Sequence, residues 1–280
     1  MLGTTTGVRV LGEHDLSAVQ RLVDRDPLVN LFVDHRLATT RMQPRWLGGE
    51  IWGYFDGGEL VSACHVAANF VPVEATPDAI DAFTRRARRT GRLSSSIVGP
   101  ATEVGALWER LEPHWGPARS LRLNQPFLQI AGPPRIAPDP RVRPVLLDEV
   151  DVLYPACVAM FTEEVGESPE LPGRHSYRAR VTQLVTRGWS YAIIEDGEVL
   201  FKAEVGSATA RGCQVQGVWV APEHRGRGLA ARGMAGVVEL ARREVAPVVT
   251  LYVNDYNVAA RAAYARAGFV QTSTFASVLM

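Results

Sequence analysis

Residues 214–232 read Gln-Val-Gln-Gly-Val-Trp-Val-Ala-Pro-Glu-His-Arg-Gly-Arg-Gly-Leu-Ala-Ala-Arg, and no other stretch limits the possible folds so tightly. Its first part, 215–220, has the β-branched and aromatic content of a strand. Pro222 stops that strand because it brings no backbone donor. Gly226 and Gly228 follow. Apolar residues then fall at Leu229, Ala230, Met234, Val237, Val238 and Ala241, one face of a helix at 3.6 residues per turn. A strand therefore runs through a glycine-rich turn directly into a helix start. Such a start presents backbone N–H groups without internal acceptors and the positive end of the helix dipole. Glycines let an anion approach the backbone, and Arg225 and Arg227 add positive charge. The stretch predicts a phosphate cradle, although it matches neither G-x-x-x-x-G-K-[ST] nor G-x-G-x-x-G.

The pattern present is R-x-x-G-x-A: Arg225, Gly226, Arg227, Gly228, Leu229, Ala230. Downstream stand Leu251-Tyr252-Val253-Asn254-Asp255-Tyr256-Asn257, then Ala260-Arg261, Tyr264 and Gly268-Phe269. Together these resemble the two signatures of the GNAT N-acetyltransferase superfamily, over about residues 140–280. The resemblance implies acetyl-CoA as co-substrate. It also implies an α/β (α+β) fold of two GNAT-like domains, each a twisted, mainly antiparallel sheet flanked by helices. By the same resemblance, Val218 and Val220 offer backbone groups to the pantetheine arm, with Trp219 between them. The amides from Gly226 to Ala230 take the pyrophosphate, Asn257 holds the arm, and Tyr264 protonates the departing thiolate. The chemistry agrees: tyrosine titrates near 10 and a thiol near 8.5, so a neutral tyrosine carries the proton needed.

A chain of 280 residues with 46% hydrophobic content is long enough for two domains with buried cores. The breaker cluster Gly-Pro-Pro-Arg-Ile-Ala-Pro-Asp-Pro at 132–140 predicts the linker. It divides a first domain, 1–131, from a catalytic domain, 141–280. Thirty basic residues balance thirty acidic ones, so attachment to nucleic acid or to an anionic membrane is not expected. No apolar run approaches 18 residues, and the amino terminus does not read as a secretory signal. Cys64, Cys157 and Cys213 lack metal spacing, as do the six histidines, so no metal is expected. A cytoplasmic protein is the expectation.

The two halves are alike. Trp52-Gly53-Tyr54-Phe55-Asp56-Gly57-Gly58-Glu59-Leu60-Val61 lies over Tyr191-Ala192-Ile193-Ile194-Glu195-Asp196-Gly197-Glu198-Val199-Leu200 at a constant offset, each pair reading as a hairpin. The first half has Pro72-Val73-Glu74-Ala75-Thr76-Pro77 where a cradle would stand. It is expected to be a degenerate copy without a CoA site that braces the second domain or shapes the substrate groove.

The acceptor implied is an amine, on a small molecule or a protein. Glu204 is the first candidate for its general base, sharing a strand face with Lys202 and able equally to be that lysine's ion-pair partner. Glu163 and Glu164 precede a turn-rich segment, 164–173, and are further candidates. Gln216, where some relatives place a carboxylate, cannot act as a base. Arg85, Arg86, Arg88 and Arg89 read as a solvated helix face. On the helix after Asp255, the predicted N-cap, Val258, Ala262 and Ala265 are expected to form an apolar stripe. The function expected is direct acetyl transfer to a primary amine in a ternary complex. The competing expectations are a non-catalytic acyl-CoA-binding regulatory module and an aminoacyl transferase of the tandem-GNAT kind.

Overall fold

The structure is a computed structural model that describes residues 6–170 and 176–280. Along the chain lie β1 (Gly7–Val10), α1 (Leu16–Val23), α2 (Leu31–Thr40), α3 (Pro44–Leu47), β2 (Glu50–Asp56), β3 (Glu59–Val66) and β4 (Asn69–Val73). Then come α4 (Pro77–Thr90), β5 (Ser96–Pro100), α5 (Ala101–Trp115), β6 (Ser120–Ile130), β7 (Arg143–Pro144), α6 (Val150–Val165) and α7 (Ser176–Thr186). The chain continues through β8 (Ser190–Glu195), β9 (Glu198–Ala208), β10 (Cys213–Val220), α8 (Leu229–Glu244), β11 (Val249–Tyr252), α9 (Val258–Ala267) and β12 (Val270–Leu279).

Two compact units form, and they do not follow chain order. Unit 1 takes Met1–Phe127 together with Tyr252–Asp255 and Gln271–Met280, while unit 2 takes Leu128–Leu251 and Tyr256–Val270. The sequence expectation placed all of 141–280 in one domain; here β12 counts with unit 1. Its residues Phe275 to Leu279 pair antiparallel with β5, from Phe275↔Pro100 to Leu279↔Ser96. The Ser277 hydroxyl donates to Gln125 of β6 at 2.7 Å in a buried position.

In unit 1 the strands lie in the order β1-β2-β3-β4-β5-β12-β6. One face buries Trp52, Phe70, Phe83, Leu107 and Leu111 with Ala276 and Val278 of β12. The other buries Val19, Leu22, Val33, Leu37, Ile51 and Ala63 against α1 and α2. α4 starts as its sequence dictates: Pro77 occupies the first turn, and the Thr76 hydroxyl accepts from the Ala79 amide at 3.3 Å.

Unit 2 has the order β11-β10-β9-β8-β7. One face packs against Val150, Leu153, Cys157, Val181 and Val185 of α6 and α7. On α8, Met234, Val237 and Val238 are fully buried. β7 is only Arg143–Pro144, since Pro144 has no N–H to extend a ladder. Nor is 132–140 a free linker. The Arg135 amide donates to Ala267 and the Asp139 amide to Arg232. Asp139 is buried, and the Arg141 guanidinium hydrogen-bonded to it holds its pKa below the ordinary carboxylate range.

The repeat reaches the level of strand register. The hairpin β2–β3 slips between Tyr54 and Phe55, and β8–β9 slips between Ile193 and Ile194, positions that the sequence offset superposes. Under that offset Ala63 falls on Lys202 and His65 on Glu204.

Candidate functional site

β10 sits in the middle of unit 2's sheet, yet its two edges are interrupted. Its parallel pairing with β11 covers Cys213↔Val249 and Gln214↔Thr250 and then stops. On the other side Gln216 faces Glu204 and Trp219 faces Lys202, so Gly217 and Val218 stand opposite the single residue Ala203. That is a β-bulge, and Gly217 carries the positive φ, +59°, that it requires. Past the bulge, Val218, Trp219 and Val220 are half-buried. Their backbone edge toward β11 is where an extended ligand can add as a strand.

The end of β10 leads to the cradle. Residues Pro222–His224 form one 3-10 turn, and Gly226 and Gly228 adopt left-handed φ values of +74° and +76°. Gly228 is the N-cap of α8 and supplies no side-chain acceptor to the helix amides. The sixteen-residue helix thus opens with its donors uncapped, whereas Thr76 closes the matching helix start of unit 1. A Cβ at Gly226 would meet nothing within 4 Å, so the turn is open on that side. A Cβ at Gly228 would stand 3.5 Å from an Arg232 guanidinium nitrogen and 3.9 Å from one of Arg266. Those two arginines, from different helices, stand beside the start of α8, and Arg225 and Arg227 flank Gly226 in the sequence. This donor set fits a pyrophosphate.

Sequence reasoning missed Arg232 and Arg266. The first is identifiable as the residue one turn beyond the motif, but Arg266 reaches the cradle only through the packing of α9 beside α8.

Tyr264 lies on α9 and is 6% exposed, its ring meeting Phe269 edge-on at 5.9 Å. Burial pushes its hydroxyl pKa well above 10, with Glu164 adding to the shift, so the proton stays on at every physiological pH. Asn257, not Asp255, is the N-cap of α9: its Oδ1 accepts from the Ala260 amide at 3.1 Å. Asp255 instead accepts from the Asn124 side chain. The apolar stripe expected at Val258, Ala262 and Ala265 is exposed; α9 buries Ala263, Tyr264 and Ala267.

On the α6 side of β10 stands a buried polar group. Lys202 Nζ donates to Glu204 Oε2 at 3.0 Å, and Gln216 Nε2 donates to Glu204 Oε1 at 3.0 Å. The lysine is 1% exposed. Burial opposes its charge, but Glu204 and the Cys157 thiol outweigh it and raise the ammonium pKa. Both carboxylate oxygens of Glu204 are engaged, and of the two readings the sequence left open for it the structure shows the ion pair with Lys202. A Cβ at Gly217 would lie 3.1 Å from the Glu204 carboxyl carbon and 3.2 Å from Lys202 Nζ. The ion pair therefore lies directly beneath the bulge.

Glu163, on the last turn of α6, is half-exposed. Its Oε1 accepts from Trp219 Nε1 and from Arg225, both at 3.0 Å, and its Oε2 accepts from Arg225 at 2.8 Å. Arg225 Nε also donates to the Val220 carbonyl, the end of β10, at 2.9 Å. Glu164 closes the same helix, but residues 171–173 of the turn-rich segment, and His175, lie outside the described residues.

In unit 1, His65 occupies the place of Glu204. It is buried, and neither ring nitrogen completes a hydrogen bond. Burial, with Arg36 nearby, lowers its pKa to about 4; the Asn69 backbone opposes this only weakly. Of the basic run, Arg85, Arg88 and Arg89 are exposed, while Arg86 packs over the Trp52 ring at 4.9 Å. Among the described residues no helix is long and apolar enough to cross a membrane, and no group of three His, Cys, Asp or Glu is placed to hold a metal ion.

Residues 163–269 match the family described as acetyltransferase (GNAT) family, and residues 49–153 match a domain of unknown function, DUF4081. No curated protein matches the sequence. Among solved structures, a Drosophila protein shares the fold with a TM-score of 0.64 at 14% identity, covering 99% of both chains. A GCN5-related N-acetyltransferase from Sphaerobacter thermophilus gives 0.57 at 17% identity, over 97% of this chain and 95% of its own. A tandem GNAT protein from the clavulanic acid biosynthesis pathway gives 0.55 at 15% identity, over 98% of both. At these identities the likeness is one of fold.

Proposed function

With a carboxyl-terminal GNAT acetyltransferase domain on a tandem fold as the premise, we propose that this protein transfers an acetyl group from acetyl-CoA directly to a primary amine. The observation that carries the reading is the bulged strand β10, open on its β11 side, running into the uncapped and arginine-flanked start of α8. Acetyl-CoA, when bound, supplies an activated thioester. The amides from Gly226 to Ala230 with Arg225 and Arg227 bind its pyrophosphate. The backbone of Val218 and Val220 orients the arm, and Trp219 faces the opposite side toward α6. The Asn257 amide nitrogen remains to bind the arm while its oxygen caps α9.

Tyr264 holds the proton for the leaving sulfur. Its raised pKa makes it a weak acid in the resting site, so transfer is favourable only to a sulfur carrying developing negative charge in the same desolvated environment. The amine must lose its own proton before attack, and Glu204 does not take it.

Gln216 and the occupied Glu204 favour a second reading, an acyl-CoA-binding module without turnover. One experiment separates the two: release of CoA thiol from acetyl-CoA over a panel of amines and peptides, with Tyr264→Phe as control. Transfer predicts amine-dependent release that falls about 100- to 10,000-fold in Tyr264→Phe, while CoA affinity is kept. Tight CoA binding with no amine-dependent release in the wild type would establish the module instead.

A further inference from the structure

The ladder between β9 and β10 is broken a second time. Val205 faces Val215 and Ser207 faces Gln214, so Gly206 has no residue opposite it. Its carbonyl accepts from Arg180 Nη2 of α7 at 3.2 Å, and Arg180 Nη1 donates to Gln183 Oε1 at 3.2 Å. A Cβ at Gly206 would collide with Gln216 Oε1, so the Gln216 side chain lies over this glycine while its Nε2 holds Glu204. Arg180, Gln216, Glu204 and Lys202 are thus linked in one polar row, with two cations and a single anion. Glu204 has both oxygens engaged by Lys202 and Gln216. Arg180 makes no ion pair among the described residues. Burial lowers its guanidinium pKa; Glu204 opposes this from a distance and Arg187 adds to it. Water has been taken from this charge without an adjacent counterion replacing it. The residue is half-buried rather than sealed, and two of its five N–H groups are used, which leaves enough for a bidentate carboxylate.

We propose that Arg180 anchors a carboxylate carried by the acceptor, so that the amine acetylated belongs to a small amino acid rather than to a plain alkylamine. The proposal rests on the acetyl-transfer reading and names the class of its acceptor. The row also sets a length. Gly217 and Val218 stand opposite Ala203, three residues from Gly206 along β9, so the two bulges are roughly 10 Å apart at about 3.3 Å per residue. A carboxylate held near one bulge and an amine presented beside the other are separated by several bonds. That describes an ω-amino acid, not an α-amino group one carbon from its carboxylate. Part of the guanidinium's desolvation already belongs to the folded state, so the carboxylate binds against a smaller opposing cost than it would meet at a fully hydrated arginine.

The test compares 5-aminovalerate with n-pentylamine on the full chain at saturating acetyl-CoA. The two present the same amine on chains of equal length and differ in the carboxylate alone. Wild type should show a KM for 5-aminovalerate about ten- to a hundredfold below that for pentylamine, the range of a hydrogen-bonded charge, with kcat little changed. Arg180→Gln should bring the two KM values together, and Arg180→Lys should restore part of the difference. An arginine that only ties α7 to β9 would shift both amines alike. Valerate, which has no amine, gives a readout without turnover: ligand-observed NMR should show it binding to the CoA-loaded wild type and not to Arg180→Gln. The wild-type comparison of the two amines stands whether or not that variant folds. Valerate binding that depends on Arg180, with CoA bound but released by neither amine, overturns acetyl transfer and leaves Arg180 as a carboxylate site. Equal KM values in an active wild type, or valerate bound equally by Arg180→Gln, overturns the anchor alone.

Discussion

Replacing Lys202 by Met tests what holds the bulge of β10 in shape. Lys202 is the only lysine in a chain that otherwise uses arginine for its positive charges. Its side chain is 1% exposed and that of Glu204 10%, with 3.0 Å between Nζ and Oε2. An arginine fork would have to fit where Gly217, Met160 and Glu204 already converge. Lys202→Met keeps the volume of the stem and leaves Glu204 buried with only the Gln216 amide. Breaking a buried pair in this way costs about 3–5 kcal/mol, because the remaining charge is uncompensated. Removing both charges, in Lys202→Met with Glu204→Leu, should bring stability back to within about 1 kcal/mol of wild type. Urea midpoints with an unchanged slope give the energies, and amide exchange along β9 and β10 locates them. A single-variant cost below about 1 kcal/mol, or a double variant as unstable as the single, would refute the ion pair as the support of the bulge.

Two other outcomes are expected. Gly228→Val forces a β-branched residue into a left-handed φ of +76°, at a cost of roughly 1–2 kcal/mol, and places carbon between the cradle amides and an anion; calorimetry should show CoA affinity lowered at least about tenfold, and an affinity within about twofold of wild type would remove the cradle assignment. His65 titrates at about 4 in the folded protein against 6.5 when unfolded; the unfolded chain takes the proton first, so about 3 kcal/mol of stability is fully present above pH 6.5 and is lost as pH falls toward 4. Urea titrations at pH 7 and pH 4.5 should show a slope that His65→Leu abolishes, and identical pH profiles would refute the buried neutral ring.

The strand–turn–helix of residues 214–232 was legible because everything that shapes it is local: Pro222 ends the strand, Gly226 and Gly228 permit the turn, and the apolar period starts the helix. The hairpin repeat was legible for the same reason, down to a shared slip in register. Tyr264 could be placed on α9 from spacing, but not its burial. What the sequence could not show depends on distant partners. The two-for-one bulge at Gly217 exists only relative to β9, so alternation along β10 reads as an unbroken strand. Lys202 and Glu204 share a face by simple counting, yet only their separation tells an ion pair from a free base. Asn257, not Asp255, caps α9, and Asp255 is bonded to Asn124, a residue remote in sequence. The return of β12 to unit 1 leaves no local trace at all.

That return has a consequence for how the protein is made. Between β5 and β6 the sheet of unit 1 has a gap one strand wide, and the strand that fills it is synthesised after every residue of unit 2. Folding on the ribosome ordinarily proceeds from the amino terminus, domain by domain. Here the order inverts: unit 2 has its residues first, while unit 1 waits with an open edge on β5 and without the apolar contribution of Ala276 and Val278. An unpaired edge of that kind is a template for the wrong strand. Cutting the gene between the halves would give two pieces that are each incomplete, a first lacking its last strand and a second carrying one with nowhere to pair. A rearranged chain with residues 271–280 transposed to directly follow β5 would restore vectorial order to unit 1.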